Sequence, residues 1–338
     1  MSDHPLPMRR DVLRAVAAAG AIAAMPTIGA GEPPPETKRI RLLRYPIDVA
    51  CLSPMWIGEE TLRTEGFEEV AYVPVTMDRL ATPMLAESMV DAGEIDLVIT
   101  DTLAVLPALD ADKQLAVLAG IHGGCYELFG AKAMRSIRDL EGKTVAVGNR
   151  GRRAFVTAMA AHVGLDARKK VTFVETWDGV RLLAEGKVDA TLGFPPEPQI
   201  MRAEKIGVSL VNTATDRPWS QYFCCMAIGN RSFVAKNPVA TKRALRALLK
   251  AADLCAAEPE RVARTLVDRG FYKDYGHSAQ ALRDVPYKRW REFDTADSLR
   301  FYALRLHESG LIKSNPQQLL AKGTDWRFIN QLKREMKA

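Results

Sequence analysis

The chain has 338 residues, five cysteines and a formal net charge of +6 at neutral pH. Lysine and arginine are spread along the sequence and form no basic block interleaved with aromatic residues, which excludes a nucleic-acid-binding protein of the usual kinds. Five cysteines are too few for a disulfide scaffold, and because their number is odd at least one stays unpaired in a monomer. The length exceeds one comfortable hydrophobic core and therefore predicts two domains.

The first 30 residues have the features of an export signal. Arg9 and Arg10 precede the apolar run Ala15–Met25, which is about half the length that spans a bilayer. Its weak, alanine-rich hydrophobicity is typical of twin-arginine export. We expect cleavage after Ala30, which removes three arginines and two aspartates and leaves a net charge of +5. The sequence thus predicts a signal peptide at 1–30, a linker at 31–37 and a periplasmic protein that does not span a membrane.

Short β-branched runs alternate with helical patterns after the linker, which is typical of βαβ units and a largely parallel sheet. From Pro238 onward helical spacing predominates. The predicted strands are Arg39–Arg44, Val70–Val75, Ile95–Thr100, Leu115–Ala119, Thr144–Val147, Val171–Glu175, Ala190–Leu192 and Phe223–Ile228. The predicted helices of the last third are Ala240–Ala257, Pro259–Asp268, Asp297–Ser309 and Pro316–Leu320.

One helix–glycine–strand unit occurs twice. The helical pattern ending in Leu85–Glu87 passes through Gly93 into an apolar strand, and the pattern ending in Leu183–Glu185 does so through Gly186. Each glycine stands where the end of a helix needs a left-handed residue. Two copies about 90 residues apart predict two similar lobes, although such joints also occur in ordinary α/β chains.

Several segments together resemble a known family. They are the twin-arginine signal, Cys51–Trp56, Gly124–Phe129, Gly193–Pro198 and Trp219–Cys225. In these segments the chain resembles periplasmic substrate-binding proteins of ABC transporters of the nitrate, sulfonate and taurine class, which are related to thiamine-pyrimidine-precursor binding proteins. The resemblance covers essentially the whole chain after the signal.

This resemblance implies an α/β fold, that of a type II periplasmic binding protein, with two Rossmann-like lobes and two hinge crossings. The natural crossings are the chain reversals near Ile121–Glu127 and Trp219–Cys224. Lobe 1 is then expected at 38–122 and 223–338, and lobe 2 at 123–222. We expect the C-terminal helices to pack on lobe 1.

Ligands of open α/β sheets bind beyond the carboxyl ends of the strands, so the loops after the predicted strands and the crossings supply the candidate ligand-binding residues. These residues are Ser53, Trp56, Asp101, His122, Tyr126, Asn149, Arg150, Arg152, Trp177, Phe194, Glu197, Trp219 and Tyr222. The segment Asn149–Arg153 is the best anion site, because free backbone N–H groups, a helix dipole and guanidinium groups coincide there.

Each candidate also has a plainer interpretation. The basic segment Asn149–Arg153 is otherwise a solvated turn, and Trp56 is otherwise an aromatic residue of the core. Asp101 and Glu197 are otherwise acids at helix N-termini. Trp177 and Phe194 offer faces on which a planar ligand can stack.

The cysteines near the crossings leave three alternatives open. His122, Cys125, Tyr126 and Glu127 are expected to approach Trp219, Tyr222, Cys224 and Cys225. Buried apolar cysteines, one disulfide at Cys125 and a metal site are all compatible with this grouping. The related eukaryotic thiamine-pyrimidine synthases carry a cysteine-rich iron segment, whose full cysteine run this sequence lacks. We therefore predict no metal ligand and no cofactor.

Enzyme signatures are missing from the sequence, which has no phosphate-binding loop, no zinc-protease motif, no nucleophile elbow and no dinucleotide fingerprint. We predict no catalytic residue. The predicted function is that of a monomeric solute-binding protein that captures a small organic anion, a sulfonate or carboxylate, and delivers it to an ABC-type permease. The alternatives are a binder of a neutral heteroaromatic solute, an enzyme of the thiamine-pyrimidine-synthase type and a sensory module.

Overall fold

The computed structural model describes residues 32–82 and 84–336, without the side chains of Ala81 and Arg150. The predicted signal peptide lies outside these residues. Residues 32–34 belong to a separate unit with the N-terminus and contain no helix or strand. The fold that follows is that of the second unit, from Pro35 onward.

The strands of this unit fall into two groups along the chain. The first group is β1 (Arg39–Arg44), β2 (Glu69–Pro74), β3 (Leu97–Asp101), β4 (Leu115–His122) and, much later, β10 (Cys225–Asn230). The second group is β5 (Glu127–Gly130), β6 (Thr144–Val147), β7 (Thr172–Glu175), β8 (Ala190–Gly193) and β9 (Val208–Asn212). We call the part built on the first group the first lobe and the part built on the second group the second lobe.

Helices connect and cover these strands. They are α1 (Ser53–Ile57), α2 (Glu59–Thr64), α3 (Leu85–Asp91), α4 (Thr102–Asp110), α5 (Arg150–His162), α6 (Ala167–Lys170), α7 (Gly179–Ala184), α8 (Glu197–Glu204), α9 (Arg231–Lys236), α10 (Pro238–Ala257), α11 (Pro259–Asp268), α12 (Tyr275–Asp284), α13 (Thr295–Glu308), α14 (Pro316–Gly323) and α15 (Arg327–Glu335). In the described part of the chain, none of them combines the length and the apolar character needed to cross a membrane.

The two lobes share one strand order. In the second lobe the order is β7-β6-β8-β5-β9, and β5 runs antiparallel to both of its neighbours. In the first lobe β10 runs antiparallel between β3 and β4, β1 pairs in parallel with β2, and β1 joins β3 through a 3.0 Å bond from Asp96 N–H to the Arg41 carbonyl. The antiparallel strand of each lobe directly follows a crossing.

The two crossings lie side by side. Thr213 N–H donates to the Tyr126 carbonyl at 2.9 Å, and Cys224 N–H donates to the His122 carbonyl at 3.1 Å. Gly124 allows this close approach, because a Cβ atom at that position would lie 1.8 Å from the Thr213 carbonyl oxygen. Both connections between the lobes therefore form one hydrogen-bonded pair of segments.

The C-terminal helices pack mainly on the first lobe, as predicted. α10 begins at Pro238, a residue whose missing N–H costs nothing at the first helical position, and it packs on α1, α2 and β4. β4 is buried along its whole length, as expected for a strand covered on both faces. The core of the first lobe therefore supports the strands that the residues of the candidate site follow.

Candidate functional site

A cleft between the two lobes contains polar groups from both of them. Its polar lining includes Tyr45, Glu87, Thr100, Asp101, Tyr126, Asn149, Arg152 and Trp177. Its apolar lining includes Ile47, Val49, Leu52, Leu80, Met84, Leu85, Ala104 and Phe194. A concave site in which polar groups converge among apolar side chains is the usual form of a small-molecule site.

Arg152 is the central cation of this cleft. The Asn149 side chain caps α5 by accepting the Arg152 backbone N–H at 3.0 Å, which fixes the direction in which the arginine leaves the helix. Its guanidinium carbon lies 3.5 Å from the ring centre of Phe194 and 4.4 Å from that of Trp177. Arg152 is 5% exposed, and its Nε has no hydrogen-bond partner among the described residues. An arginine held by rings in this way has its Nε–H free for a ligand.

Glu197 is the carboxyl group beside Arg152. One carboxylate oxygen lies 4.0 Å from an Arg152 nitrogen, and the same oxygen accepts the Phe194 backbone N–H at 3.1 Å. Burial raises the pKa of Glu197 to about 7, although Arg152 and the Phe194 N–H favour the charged form. The carboxyl group thus neutralises Arg152 only in part near neutral pH.

Two further carboxyl groups face the cleft from the first lobe. Asp101 precedes α4 but its side chain caps nothing. Burial, and then the nearby Cys224, raises its pKa to about 7. Glu87 is buried, accepts a 2.7 Å hydrogen bond from the Thr100 hydroxyl, and has a pKa raised by burial. The first lobe therefore presents acceptors, or carboxylic acid donors, opposite Arg152.

This arrangement can recognise a small molecule with two different ends. Arg152 Nε and Trp177 Nε1 are buried N–H groups that bond to no atom of the described chain, and such groups are costly unless something accepts from them. Asp101 and Glu87 offer the complementary oxygens. A solute with an acceptor at one end and a donor at the other would satisfy both sides.

The structure brings six of the predicted ligand-binding residues together in this cleft: Asp101, Tyr126, Asn149, Arg152, Trp177 and Phe194. Glu197 joins them through Arg152. The side chain of Arg150 lies outside the described residues.

Two predicted residues of the first loop lie in the core instead. Trp56 is 1% exposed, donates its Nε1–H to the Leu43 carbonyl at 3.0 Å and stacks on Phe271. The Ser53 hydroxyl is buried and donates to the Ala50 carbonyl at 2.7 Å. Both side chains are consumed by internal contacts, because α1 turns them toward the core rather than toward the second lobe.

Three predicted residues at the crossings, His122, Trp219 and Tyr222, also lie away from the cleft lining, whereas Tyr126 belongs to it. Trp219 packs edge-on against Phe301, and Tyr222 stacks on that ring with centroids 3.9 Å apart. His122 is buried beside the cysteines of the crossings. Trp219 and Tyr222 thus pack the second crossing against α13 and do not face the cleft.

Sequence reasoning missed several residues of the first lobe that line the cleft. Tyr45 directly follows β1, so the rule that ligands lie beyond strand ends would have selected it. Glu87 lies within α3, and nothing in the helical pattern of the sequence indicates that its carboxyl group faces the cleft. The missed polar and sulfur-containing lining residues are Tyr45, Cys51, Thr82, Met84, Glu87 and Thr100.

A cluster of metal-ligating side chains lies next to the cleft. Cys51, His122, Cys125 and Cys225 are all buried, and one ligand atom from each lies within 4.8 Å of the others. The Cys224 thiol is 3.3 Å from that of Cys125. Cys51 and Asp101, whose carboxylate lies 3.8 Å from the Cys225 sulfur, connect this cluster to the cleft lining.

The two-lobed architecture is the fold of periplasmic binding proteins. The chain superposes on the periplasmic nitrate-binding protein NrtA from Synechocystis PCC 6803 with a TM-score of 0.74 and 12% identity over 90% of each chain. For the alkanesulfonate-binding protein SsuA from Xanthomonas axonopodis pv. citri bound to MOPS, the TM-score is 0.67 and the identity 16%, over 88% of this chain and all of the other. The aliphatic sulphonate binding protein SsuA from Escherichia coli gives 0.65 and 16%, over 83% and 91%. The predicted fold class is confirmed.

The chain belongs to the NMT1/THI5-like family, whose model matches residues 66–262. This family and the structural relatives confirm the resemblance drawn from the sequence. No curated protein matches the chain significantly in sequence.

Proposed function

We propose that this chain is an extracytoplasmic solute-binding protein that captures a small solute between its lobes and delivers it to an ABC-type permease. The family, the fold and a polar cleft lined from both lobes support this function. An open form would bind the solute, and bending of the paired crossings would close lobe 2 (123–222) over lobe 1 (38–122 and 223–338). We propose binding without catalysis, which is supported by structural relatives that are named as binding proteins. We also propose that the chain acts as a monomer.

The ligand we propose is a small organic anion, a sulfonate or carboxylate, that also carries a hydrogen-bond donor. The observation that carries this proposal is the buried Arg152, held by two rings with an Nε that no described residue occupies. Guanidinium groups bind carboxylate and sulfonate oxygens through directed, charge-assisted bonds. The donor end of the solute would then meet Asp101 on the opposite wall.

A neutral heteroaromatic solute is the second candidate, because Tyr126, Trp177 and Phe194 line the cleft. The guanidinium of Arg152 already covers the Phe194 face at 3.5 Å and contacts Trp177, and Tyr126 packs against Phe155. Little ring surface is left for a planar ligand to stack on. These contacts favour the anion.

A ligand panel tests the proposed function. Sulfonates, carboxylates, nitrate and aminopyrimidines are added to the purified protein, and thermal unfolding is recorded. A ligand at about a hundred times its Kd adds about 2.7 kcal/mol to the free energy of unfolding, so a sulfonate or carboxylate should raise Tm clearly. If no organic anion and no aminopyrimidine of the panel raises Tm, the proposal that the chain binds a small solute of one of these two classes is wrong.

Calorimetric titration of the best ligand then tests Arg152. Arg152→Gln should weaken binding about 10- to 100-fold, the effect expected when a charged hydrogen bond is lost. The matched control is Arg153→Gln, because Arg153 lies on the same turn of α5 and packs instead on Phe173. If Arg152→Gln leaves affinity intact while Trp177→Ala abolishes it, the heteroaromatic ligand replaces the anion.

We further propose that the chain is exported to the periplasm by the twin-arginine route through residues 1–30. The arginine pair ahead of a weakly hydrophobic run supports this route. NrtA and the Escherichia coli SsuA are named periplasmic proteins, which supports the location.

A further inference from the structure

Four side chains that commonly bind metals converge from separate parts of the chain. Cys51 lies in the 3₁₀ turn Ala50–Leu52, His122 ends β4, Cys125 lies in the first crossing, and Cys225 begins β10. Three sulfur atoms and one imidazole nitrogen lie within 4.8 Å of one another. The four residues are between 0% and 7% exposed. Three thiols and an imidazole gathered in the protein interior form the donor set of a Cys₃His metal site.

The orientation of His122 gives a second, independent observation. Its Nδ1 lies 2.7 Å from the Gly123 carbonyl oxygen, an acceptor, so Nδ1 carries the proton and donates it. Nε2 then has a free lone pair, and this buried atom has no partner among the described residues. A carbonyl that accepts from the outer nitrogen is the usual way in which a metal-binding histidine is oriented. The unsatisfied Nε2 therefore indicates a missing ligand-to-metal bond.

We infer that Cys51, His122, Cys125 and Cys225 bind one zinc ion. Zinc–sulfur bonds of about 2.3 Å in a tetrahedron place the sulfur atoms about 3.8 Å apart. Side chains already within 4.8 Å need to close by only about an ångström. The thiols would release their protons to solvent when the ion binds. Four protein ligands fill the tetrahedron and leave no position for a reacting water, so the site is structural.

Cys224 defines the competing chemistry. Its thiol is 3.3 Å from that of Cys125, and oxidation of this pair would join the two sulfurs while an external oxidant takes up two electrons. That disulfide would remove Cys125 from the ligand set. A zinc site and a Cys125–Cys224 disulfide are therefore mutually exclusive, and the number of free thiols distinguishes them.

The zinc site would tie the first lobe to the first crossing. Cys51, His122 and Cys225 belong to the first lobe, and Cys125 lies in the first crossing. Cys51 also lines the cleft, so the ion would fix one wall of the ligand site without contacting the solute. The inference does not depend on the proposed function.

The experiment is metal analysis of the reduced protein, with serine variants of single cysteines. Protein is purified with a thiol reductant, incubated with one equivalent of Zn²⁺, desalted and analysed for zinc and iron. The ligand variants are Cys51→Ser and Cys225→Ser. The matched controls are Cys255→Ser, a buried thiol in α10 outside the cluster, and Cys224→Ser, which also prevents the disulfide. Circular dichroism shows which variants fold.

We expect about one zinc per chain in the unmodified protein and in both controls, and at least tenfold weaker zinc binding in the ligand variants. Cobalt substitution gives a readout that needs no variant: Co²⁺ should show the visible bands of a tetrahedral ion and thiolate charge-transfer absorption. Folded, reduced protein without zinc, iron in place of zinc, equal zinc in Cys51→Ser, or Co²⁺ without thiolate absorption would each overturn the inference. A chain that forms the Cys125–Cys224 disulfide in preference to taking up zinc would do the same.

Discussion

The charge of Glu197 is set by two opposing effects in the cleft wall. Burial disfavours the carboxylate, whereas Arg152 at 4.0 Å and the Phe194 N–H favour it. Burial is the larger effect, because the pKa rises to about 7. Glu197 therefore stays only partly ionised near neutral pH, although it lies at the limit of ion-pair distance from Arg152. The positive charge of Arg152 is then not fully neutralised and can attract a ligand.

This balance predicts how stability depends on pH. The pKa of Glu197 is about 7 in the folded chain and about 4.5 in its ordinary state, so the folded protein holds this proton more tightly than the unfolded chain. The contribution of Glu197 to the free energy of unfolding is therefore fully present below about pH 4.5 and is lost as the pH rises through about 7. Glu197→Gln should match the unmodified protein near about pH 4 and exceed its free energy of unfolding above about pH 7, by at most about 3 kcal/mol.

Urea unfolding of both proteins across this pH range measures the difference. Glu204→Gln is the matched control, because Glu204 ends the same helix and is exposed, and its curve should follow that of the unmodified protein. Parallel curves for Glu197→Gln and the unmodified protein would mean that Glu197 stays ionised in the fold.

At the scale of single residues, the sequence identified positions after strands better than side-chain directions. Asn149 and Arg152 follow β6 and reach the cleft as expected. Ser53 and Trp56 follow β1 but begin α1, and the first turn of this helix points into the core. A loop position can be derived from pattern, but the rotation of a short helix depends on tertiary packing that the pattern does not contain.

The doubled helix–glycine–strand unit is the clearest feature at the scale of elements. Gly93 and Gly186 have φ values of 68° and 66°. The Asp96 carboxylate accepts the backbone N–H of Arg41 at 2.8 Å, and that of Asp189 accepts the N–H of Thr144 at the same distance. In both lobes the glycine of this Gly-x-x-Asp sequence thus ends a helix, and the aspartate attaches the strand that follows to the neighbouring strand.

Replacing either glycine tests this local role. Gly93→Ala and Gly186→Ala should each lower the free energy of unfolding by about 1 to 2 kcal/mol, since alanine is strained in the left-handed region. No described atom lies within 4 Å of either added Cβ, so crowding does not contribute. Gly276→Ala, within the first turn of α12, should be neutral or stabilising by up to about 1 kcal/mol. Urea unfolding measures these changes. An equal change in the free energy of unfolding at all three positions would contradict the role assigned to Gly93 and Gly186.

Eight strands were predicted close to their observed bounds, whereas β5 and β9 were missed. β5 has four residues, the run Glu127–Gly130, in which no period can be recognised. It is a strand because β8 and β9 pair with both of its edges. The same order of strands in both lobes therefore follows from long-range pairing, of which the sequence shows only the repeated parallel units.

At the scale of the whole molecule, the two lobes, the paired crossings and the cleft follow from this repeated order. The length, the repeat and the family resemblance together predicted a two-lobed fold. The approach of Cys125 to Cys225 was expected from the crossings, but that of Cys51 was not, because it depends on how the turn after β1 packs against them. The export that we propose depends on a separate part of the sequence, the first 30 residues.

Export is therefore tested on the full chain. Arg9→Lys combined with Arg10→Lys keeps the charge of the signal but removes the guanidinium pair that defines the twin-arginine motif, so the unprocessed chain should accumulate in the cytoplasm of a bacterium with this pathway. Arg14→Lys, a change of the same kind outside the pair, should be exported and processed normally. Immunoblots of periplasmic and cytoplasmic fractions measure both outcomes, and N-terminal sequencing of the exported form should begin at Gly31. Unchanged export of the doubly substituted chain would show that residues 1–30 act through another route.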